Sequence, residues 1–379
     1  MGTSLMTLRD SLARSREREP SGSWSLDPQH FTSEEFYRHE VEEIFSKEWI
    51  CVGHAKEIPH VGDYFSVQLV DEPLLIVRNK DGDVRAMSSV CRHRMMLVVK
   101  PGEIGNTSQF ICPYHRWSYG LDGQLEKALC MEHHQDFDSR KIALPSFRVE
   151  IWNDLIWVNL DDEAEPLSPK LIGLEEVMAV YKGPTDGVMA ALYDKSWKGN
   201  WKSQVENNLE GYHHMGMHEQ SIETYAPTKN VTNLAYTEHW TRHQVHYERN
   251  RDVTERLLQE ADWEPNDWLG MKQPALDIIN IHPGNSFSIY PGGAGFYSIW
   301  PLSVDRFQFR ARSIRAPGEL RRFDSEGQGY DSERVLDEDG LAMKHIQAGA
   351  RSRKAQPGPL SWMESSLTHW HRWMTERLC

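Results

Sequence analysis

The sequence is short of the features that define several large classes of protein. Only five of its 379 residues are cysteine, an odd number on a long chain, which argues against a disulfide framework and makes a reducing cytoplasm the expected setting. Positive charge is also scarce: the formal net charge of −14 argues against binding to nucleic acid, because phosphates would be repelled. No apolar run approaches the roughly 20 residues of a membrane-spanning helix.

Two further motifs are missing. The glycines at 292–295 do not match the Gly-x-Gly-x-x-Gly pattern of a nucleotide-binding strand and helix, so the chain has no sequence motif for NAD(P)H. The first twenty residues include Asp10, Glu17 and Glu19 and have no apolar core. They are expected to form a polar, partly helical arm rather than a targeting peptide.

The chain is long enough for two domains. Apolar residues recur near a 3.6-residue period over 31–49, which predicts a helix. Between about 50 and 160, short β-rich runs alternate with turns such as Asp81-Gly82, Gly105-Asn106 and Asp122-Gly123, which predicts a small antiparallel β domain. The acidic, proline-containing segment 161–170 is a plausible boundary.

A larger α+β region follows. The segments LIGLEEVMAVY and NWKSQVENNLEGYHH favour helix, and four runs between 277 and 313 favour strands. The chain returns to helix at 332–351 and 361–378. We expect an N-terminal arm and helix over 1–45 packing on the larger domain, a β domain over 46–160 and the larger α+β domain over 161–379.

The β domain contains two short pairs of metal-binding residues. Cys91 and His93 form the first pair, and Cys112 and His115 form the second after a gap of eighteen residues. Zinc accepts such ligands, so the spacing alone leaves a zinc site open. Because each pair mixes a cysteine with a histidine, the pattern favours a [2Fe–2S] cluster with both cysteines on one iron and both histidines on the other.

A second group of metal-binding residues lies in ENNLEGYHHMGMH. His213 and His218 are five residues apart, which is about 140° of rotation on a regular helix, so one metal can bind both only where the helix ends or bulges. Gly216 is the expected break. Glu210 precedes His213 by three residues, and we expect its carboxylate to hold that imidazole. His214 is expected to fill space beside the metal rather than bind it.

The segment CRHR…CPYHRWSYGLDGQL resembles the Rieske segment of bacterial ring-hydroxylating oxygenases, and ENNLEGYHH resembles their mononuclear-iron motif. The resemblance implies a small all-β Rieske domain inserted before a larger helix-grip (START-like) domain with an antiparallel sheet and helices. It also implies a third iron ligand in a C-terminal helix, where Asp339 fits best and Asp337 and Glu338 are adjacent alternatives. Two histidines and one carboxylate form the facial triad of non-haem Fe(II) oxygenases.

The resemblance further implies the terminal oxygenase of a multicomponent system, which uses O2 and electrons from a separate flavin- or ferredoxin-type NAD(P)H reductase. In relatives, an acidic residue passes electrons between subunits of a trimeric ring. Here Glu210 would link His213 to His115 of the next subunit. The implied reaction is hydroxylation or oxidative demethylation of a small molecule, leaning to an amine or quaternary-ammonium compound. The alternatives are an aromatic-ring dioxygenase and a Rieske electron carrier without oxygenase activity.

Three expectations concern the surroundings of these sites. The family usually has glycine where Met95 and Arg116 stand, so the loop surface around the cluster should differ here. An acidic or mixed surface near His93 and His115 would receive the reductase. Seven aromatic residues could line a substrate pocket or simply build the sheet core. They are Tyr225, Trp240, Phe287, Tyr290, Phe296, Tyr297 and Trp300.

Overall fold

The computed structural model describes residues 4–181, 187–249, 251–260, 270–315 and 332–379. Contacts between residues divide the chain into two compact units. One unit is Phe45–Glu165, and the other combines Met1–Ile44 with Pro166–Cys379. Among the described residues, no helix combines the length and the apolarity needed to cross a membrane.

The Phe45–Glu165 unit is built from ten antiparallel strands. Seven form a sheet in the order β1-β10-β9-β4-β3-β2-β5, and three form a small sheet in the order β6-β7-β8. The strands are β1 Ile50–His54, β2 Asp63–Leu69, β3 Glu72–Arg78, β4 Val84–Ser88, β5 Ile104–Asn106, β6 Phe110–Ile111, β7 Ser118–Tyr119, β8 Leu125–Lys127, β9 Ser146–Trp152 and β10 Leu155–Asn159.

Most of the turns that separate these strands are where the sequence predicts them. Gly82 and Gly123 have φ values of 88° and 83°, which glycine adopts without steric cost. β9 and β10 are joined by Asn153 and Asp154, both with positive φ, as a two-residue hairpin loop requires. The prediction of a turn at Gly105-Asn106 is wrong, because both residues lie in β5 and pair with β2.

The core of this unit encloses its two central cysteines. Cys91 and Cys112 are almost fully buried, and both pack in one apolar cluster with Trp117, Tyr119 and Leu125. The loops that carry the cysteines are therefore anchored on the core rather than free at the surface.

The second unit is centred on a seven-stranded antiparallel sheet in the order β11-β17-β16-β15-β14-β13-β12. Its strands are β11 Val188–Lys198, β12 Val231–Tyr236, β13 Trp240–His246, β14 Ala275–Ile281, β15 Asn285–Tyr290, β16 Gly293–Ser303 and β17 Arg306–Arg315. The four strand runs predicted between 277 and 313 correspond to β14–β17. An antiparallel sheet with helices and a separate all-β unit confirm the predicted α+β fold class.

Eight α-helices lie in the described residues, all of them in this second unit. They are α1 Leu5–Arg16, α2 Glu34–Glu40, α3 Leu174–Ala179, α4 Trp201–Asn208, α5 His214–Met217, α6 Asp252–Glu260, α7 Ser332–Ala350 and α8 Ser365–Leu378. The helix predicted over 31–49 is too long: α2 ends at Glu40, and a wider π-helical turn, Val41–Phe45, follows it.

A buried ion pair fixes the start of α4, the helix that leads to the second metal-binding motif. Lys202 Nζ lies 2.5 Å from Glu40 Oε1 on α2, and both side chains are fully buried. Trp201 Nε1 donates a hydrogen bond of 3.0 Å to the other oxygen of Glu40. Removing either Lys202 or Glu40 would leave the other charge buried without a partner, which typically lowers the free energy of unfolding by about 3–5 kcal/mol. The ion pair therefore holds the start of α4 firmly against α2.

Candidate metal centres

The two Cys/His pairs lie on two loops with the same backbone geometry. Cys91 N donates to Met96 O and Met95 N donates to Cys91 O, at 2.8 and 3.1 Å. In the second loop, Cys112 N donates to Trp117 O and Arg116 N donates to Cys112 O, at the same two distances. Each cysteine therefore opens a turn that is closed by the residues four and five positions later.

The fifth residue of each loop is in the left-handed region. Met95 has a φ of 58° and Arg116 a φ of 62°. A side chain there typically costs about 1–2 kcal/mol relative to ordinary backbone, whereas glycine adopts this conformation freely. This explains why glycine suits these two positions, and it shows that the chain keeps the loop geometry with other residues.

The four side chains converge between the loops. The rings of His93 and His115 have centroids 4.5 Å apart, and His93 stacks on Trp117 at 4.8 Å. Cys91 Sγ lies 3.2 Å from the hydroxyl of Tyr119. His93 Nδ1 is buried and has no hydrogen-bond partner among the described residues. A buried ring nitrogen and two buried thiols that face one space fit a bound metal group, which would satisfy all of them.

Electrostatics of the metal-free loops agree with this fit. Burial raises the pKa of the Cys112 thiol, with a further contribution from Cys91. Burial also lowers the pKa of His93, with a smaller contribution from His115. The imidazole is therefore neutral and able to bind metal at pH 7, and metal binding would release the thiol protons.

The spacing of these ligands speaks against a single zinc ion. A tetrahedral ion with bonds of 2.0–2.3 Å brings all its ligand atoms within about 4 Å of one another. Among the described residues, the group whose ligand atoms all lie within 4.8 Å of one another is His213, His218 and Asp339, and no three of the four loop residues form such a group. A two-iron cluster needs this wider spacing.

The surface beside these loops is basic and apolar. Arg92, Arg94 and Arg116 are exposed, and Met95 is 81% exposed. The expected surface was acidic or mixed; the residues directly next to His93 and His115 in the sequence include no acidic side chain. The positive-φ conformation turns the long side chains of Met95 and Arg116 outward.

The second centre is formed where α4 ends. Leu209 caps α4, Glu210 follows in a loop, and His213 stands immediately before the short helix α5. His218 is the residue that ends α5. The predicted break at Gly216 is wrong, since Gly216 lies within α5; the chain leaves the helix at 209–213 instead. His213 and His218 therefore stand at the two ends of one short helix, α5.

Asp339 of α7 completes a compact group. Its Oδ1 lies 3.0 Å from His218 Nε2 and 3.9 Å from His213 Nε2, and the two rings have centroids 5.2 Å apart. Asp339 also accepts a hydrogen bond of 3.3 Å from Asn207 Nδ2 on α4. Two Nε2 atoms and one carboxylate on a common point are the donors that a non-haem Fe(II) site uses, so this group fits a mononuclear iron.

Each of these histidines has a carboxylate on its other ring nitrogen. Glu210 Oε1 lies 2.7 Å from His213 Nδ1, and Glu338 Oε2 lies 2.7 Å from His218 Nδ1. Burial tends to lower the pKa of His213, but Glu210 and then Asp339 raise it. The contact between Glu210 and His213 is the one predicted, although it forms in a loop rather than on a helix face. Glu338 was considered only as an alternative metal ligand.

His214 and Asp337 are not part of the converging group, although the His214 ring lies 4.7 Å from that of His213 and 5.6 Å from that of His218. His214 is buried, and burial holds its pKa well below the usual value. Asp337 is bound by Lys195 Nζ at 3.0 Å and by Tyr193 Oη at 2.9 Å, away from the two histidines. The three consecutive acidic residues therefore make different contacts. Asp337 binds Lys195 and Tyr193, whereas Glu338 and Asp339 contact the two ring nitrogens of His218.

A narrow cavity of about 70 Å³ adjoins the second centre. Of the seven aromatic residues considered for a substrate cage, only Tyr297 lines it, so the cage is not formed by the other six. Besides Glu210, Asp339 and the two iron-site histidines, the residues around the cavity are Asn207, Asn208, His214, Ile222, Leu276, Ile278, Ser286, Ser288, Tyr297, Phe309, Val335 and Leu336. Sequence reasoning missed Ser286 and Ser288; their signal was the alternation of SFSIY, which puts both on one face of β15.

An all-β unit with paired Cys/His loops, followed in the chain by an antiparallel-sheet unit that presents two histidines and a carboxylate, defines a Rieske-type non-haem iron oxygenase. Residues 184–379 match the family described as ring hydroxylating alpha subunit (catalytic domain), and residues 48–148 match the Rieske [2Fe-2S] domain. The first match covers more than half of the chain, which therefore belongs to the ring-hydroxylating alpha-subunit family. It is an oxidoreductase subunit, the terminal oxygenase component.

Similar proteins come from two branches of this family. A glycine betaine monooxygenase oxygenase subunit from Pseudomonas aeruginosa is 28% identical, covering 99% of this chain and 95% of the relative. A quaternary ammonium Rieske monooxygenase, solved with an inhibitor, superimposes with a TM-score of 0.80 at 21% identity over 98% of each chain. Naphthalene 1,2-dioxygenase from Rhodococcus sp. gives 0.77 at 18% identity over 99% and 98%. Both structural matches show the fold alone.

Proposed function

We propose that this oxygenase binds its [2Fe–2S] cluster through Cys91, His93, Cys112 and His115, and its mononuclear iron through His213, His218 and Asp339. The units Phe45–Glu165 and Pro166–Cys379 would then be the Rieske and catalytic domains. The observation that carries the proposal is the convergence of the three iron-site residues at the cavity. A simple electron carrier would need only the first set of residues.

When bound, the cluster supplies single electrons and the Fe(II) supplies open positions for O2. The residues of the chain do the remaining work. Glu210 and Glu338 fix the orientation of the two histidine rings, so that both Nε2 atoms face one point. Leu276, Ile278 and Phe309 exclude water from one side of the cavity.

We further propose that electrons come from a separate flavin- or ferredoxin-type reductase that uses NAD(P)H, because the sequence has no nucleotide motif. They would reach the iron between subunits of a homotrimer, with Glu210 joining His213 to His115 of the next subunit. The support is the bond that Glu210 already makes to His213. The five cysteines are free thiols, which favours a reducing cytoplasm.

The proposed substrate is a small amine or quaternary-ammonium compound. The glycine betaine monooxygenase relative, similar over nearly the whole chain, supports this class. The narrow cavity also favours a small molecule over a fused aromatic ring. Hydroxylation at a carbon next to nitrogen would lead to oxidative demethylation.

The test is a metal analysis joined to turnover. The purified chain should be brown, contain three irons and two acid-labile sulfides, and give a rhombic EPR signal on reduction. With a compatible reductase, candidate amines should couple NADH oxidation to O2 consumption and product. A colourless, zinc-containing protein, or an iron-loaded protein that consumes no O2 with any amine, would contradict the proposal.

A further inference from the structure

We propose that the cavity selects a small substrate whose polar end is uncharged, and that the hydroxyls of Ser286 and Ser288 bind that end. A substrate with a carboxylate would then be a poor ligand. This inference rests on the proposed function, because it concerns the cavity beside the same iron site. It differs from what the glycine betaine relative suggests, since glycine betaine carries a carboxylate.

The charge of the cavity carries the first step. Among the described residues that line it, none is lysine or arginine, whereas Glu210 and Asp339 are both carboxylates. With Fe(II) bound, two positive charges would be balanced by these two negative charges. A ligand carboxylate would lose its water without gaining a lysine or arginine partner from the described residues of the lining, and burying such a group unpaired is costly.

The two serines carry the second step. Ser286 and Ser288 alternate on β15 with Phe287, so both side chains lie on the cavity face of the sheet. Ser286 pairs in register with Tyr297, which lines the same cavity. Within the described part of the chain, neither serine hydroxyl is engaged by another side chain. Two hydroxyl groups beside the apolar side chains of Leu276, Ile278 and Phe309 are suited to orient a ligand.

The size of the cavity sets the third step. A volume of about 70 Å³ is room for only a few water molecules. The apolar side chains of Leu276 and Ile278 on β14 and of Phe309 on β17 also line the cavity. A compact head group with one hydroxyl, carbonyl or amide fits these dimensions.

The experiment compares three quaternary-ammonium probes on the anaerobic, iron-loaded protein by isothermal titration calorimetry. Choline has a hydroxyl at the end of the chain, glycine betaine has a carboxylate, and trimethyl(propyl)ammonium has a methyl group. We expect choline to bind at least tenfold more tightly than glycine betaine. S286A and S288A should each weaken the binding of choline by about three- to tenfold and leave the affinity for trimethyl(propyl)ammonium unchanged.

Ser298 on β16 provides a matched control. It is buried but does not line the cavity, so S298A should change none of the three affinities. Tighter binding of glycine betaine than of choline, equal loss for all probes in the serine variants, or no binding of any probe would overturn the inference. Iron content and the EPR signal are measured on the same samples, so failure of the proposed metal centres is recognised separately.

Discussion

Glu338 lies 2.7 Å from Nδ1 of His218, whereas its neighbour in the sequence, Asp339, lies 3.0 Å from Nε2 of the same ring. Successive residues of one helix therefore hold the two ends of one imidazole. Glu338 is itself fixed, because Ser221 Oγ donates to it at 2.8 Å and Arg334 Nε at 3.0 Å. We interpret Asp339 as the metal ligand and Glu338 as the residue that orients His218.

This division predicts different results for the two carboxylates. Asp339→Ala should abolish mononuclear iron and turnover while the brown cluster remains. Glu338→Gln should keep iron but bind it about 10–100-fold more weakly, because the ring loses its anionic partner. Chelator competition, followed by iron analysis, measures both effects. Ser221→Ala serves as the control, because it removes one hydrogen bond to Glu338 but leaves both carboxylates in place. Iron lost in Glu338→Ala but kept in Asp339→Ala would reverse the two roles.

Glu210→Gln should keep both metal centres and slow electron transfer between them. The amide retains the shape of the side chain but not the negative charge that faces His213. The measurement is a single turnover, in which the pre-reduced cluster is reoxidised after O2 and substrate are added. Glu206→Gln is the matched control, since Glu206 binds His371 at 3.0 Å rather than an iron-site histidine. Equal rates in the Glu210 variant and the wild type would refute the bridge.

Met95→Gly and Arg116→Gly should each stabilise the Phe45–Glu165 unit. Both positions have positive φ, and the relief of that strain exceeds the entropy that glycine adds to the unfolded chain, by about 0.5–1 kcal/mol. Thermal unfolding of the cluster-loaded protein, followed through the cluster absorbance, measures the gain. Arg92→Gly, on the same loop without positive φ, should be neutral or destabilising. A loss of stability at both positions would contradict the strain argument.

We expect the protein to lose stability in mild acid because of His30. The ring is buried between the carbonyls of Leu8 and Asp27, and burial lowers its pKa to about 4. The unfolded chain therefore binds a proton that the folded chain does not bind, and stability falls as pH drops from about 6.5 towards 4. Between pH 7 and pH 5 this amounts to about 2 kcal/mol.

Urea unfolding at the two pH values gives the measurement. His30→Gln can still donate to Leu8 but cannot be protonated, so it should lose less stability than the wild type on acidification. His60→Gln, at an exposed position, serves as the control and should behave as the wild type does. If His30→Gln loses as much free energy of unfolding between pH 7 and pH 5 as the wild type does, His30 is not the group responsible for the acid sensitivity.

The sequence predicted what depends on residue type and short spacing. The Cys/His pairs, the contact between Glu210 and His213 and most strands of both sheets follow from local patterns. The prediction was wrong where long-range packing decides the backbone. The helix ends at 209–213, where Asn280 Nδ2 on β14 donates a hydrogen bond to Asn208 O, and nothing in ENNLEGYHH encodes that contact.

Contacts between side chains that are far apart in the sequence could not be predicted either. Glu338 and Ser221 are more than a hundred residues apart, so their shared role at His218 could not be read from spacing. The aromatic residues gave a misleading signal, because six of the seven are buried and do not line the cavity, as Phe287 and Phe296 illustrate by packing on each other. The serines of the cavity drew no attention because serine is common on surfaces.

The exposed arginines beside the cluster loops have a kinetic consequence. Arg92, Arg94 and Arg116 concentrate positive charge at one place on a chain whose net charge is −14. An electron donor with an acidic face would be attracted to this place and repelled from the chain as a whole. Because the Debye length shrinks to about 8 Å at physiological salt, the encounter rate with such a donor should fall steeply as ionic strength rises. Stopped-flow reduction of the cluster at several salt concentrations would measure that slope.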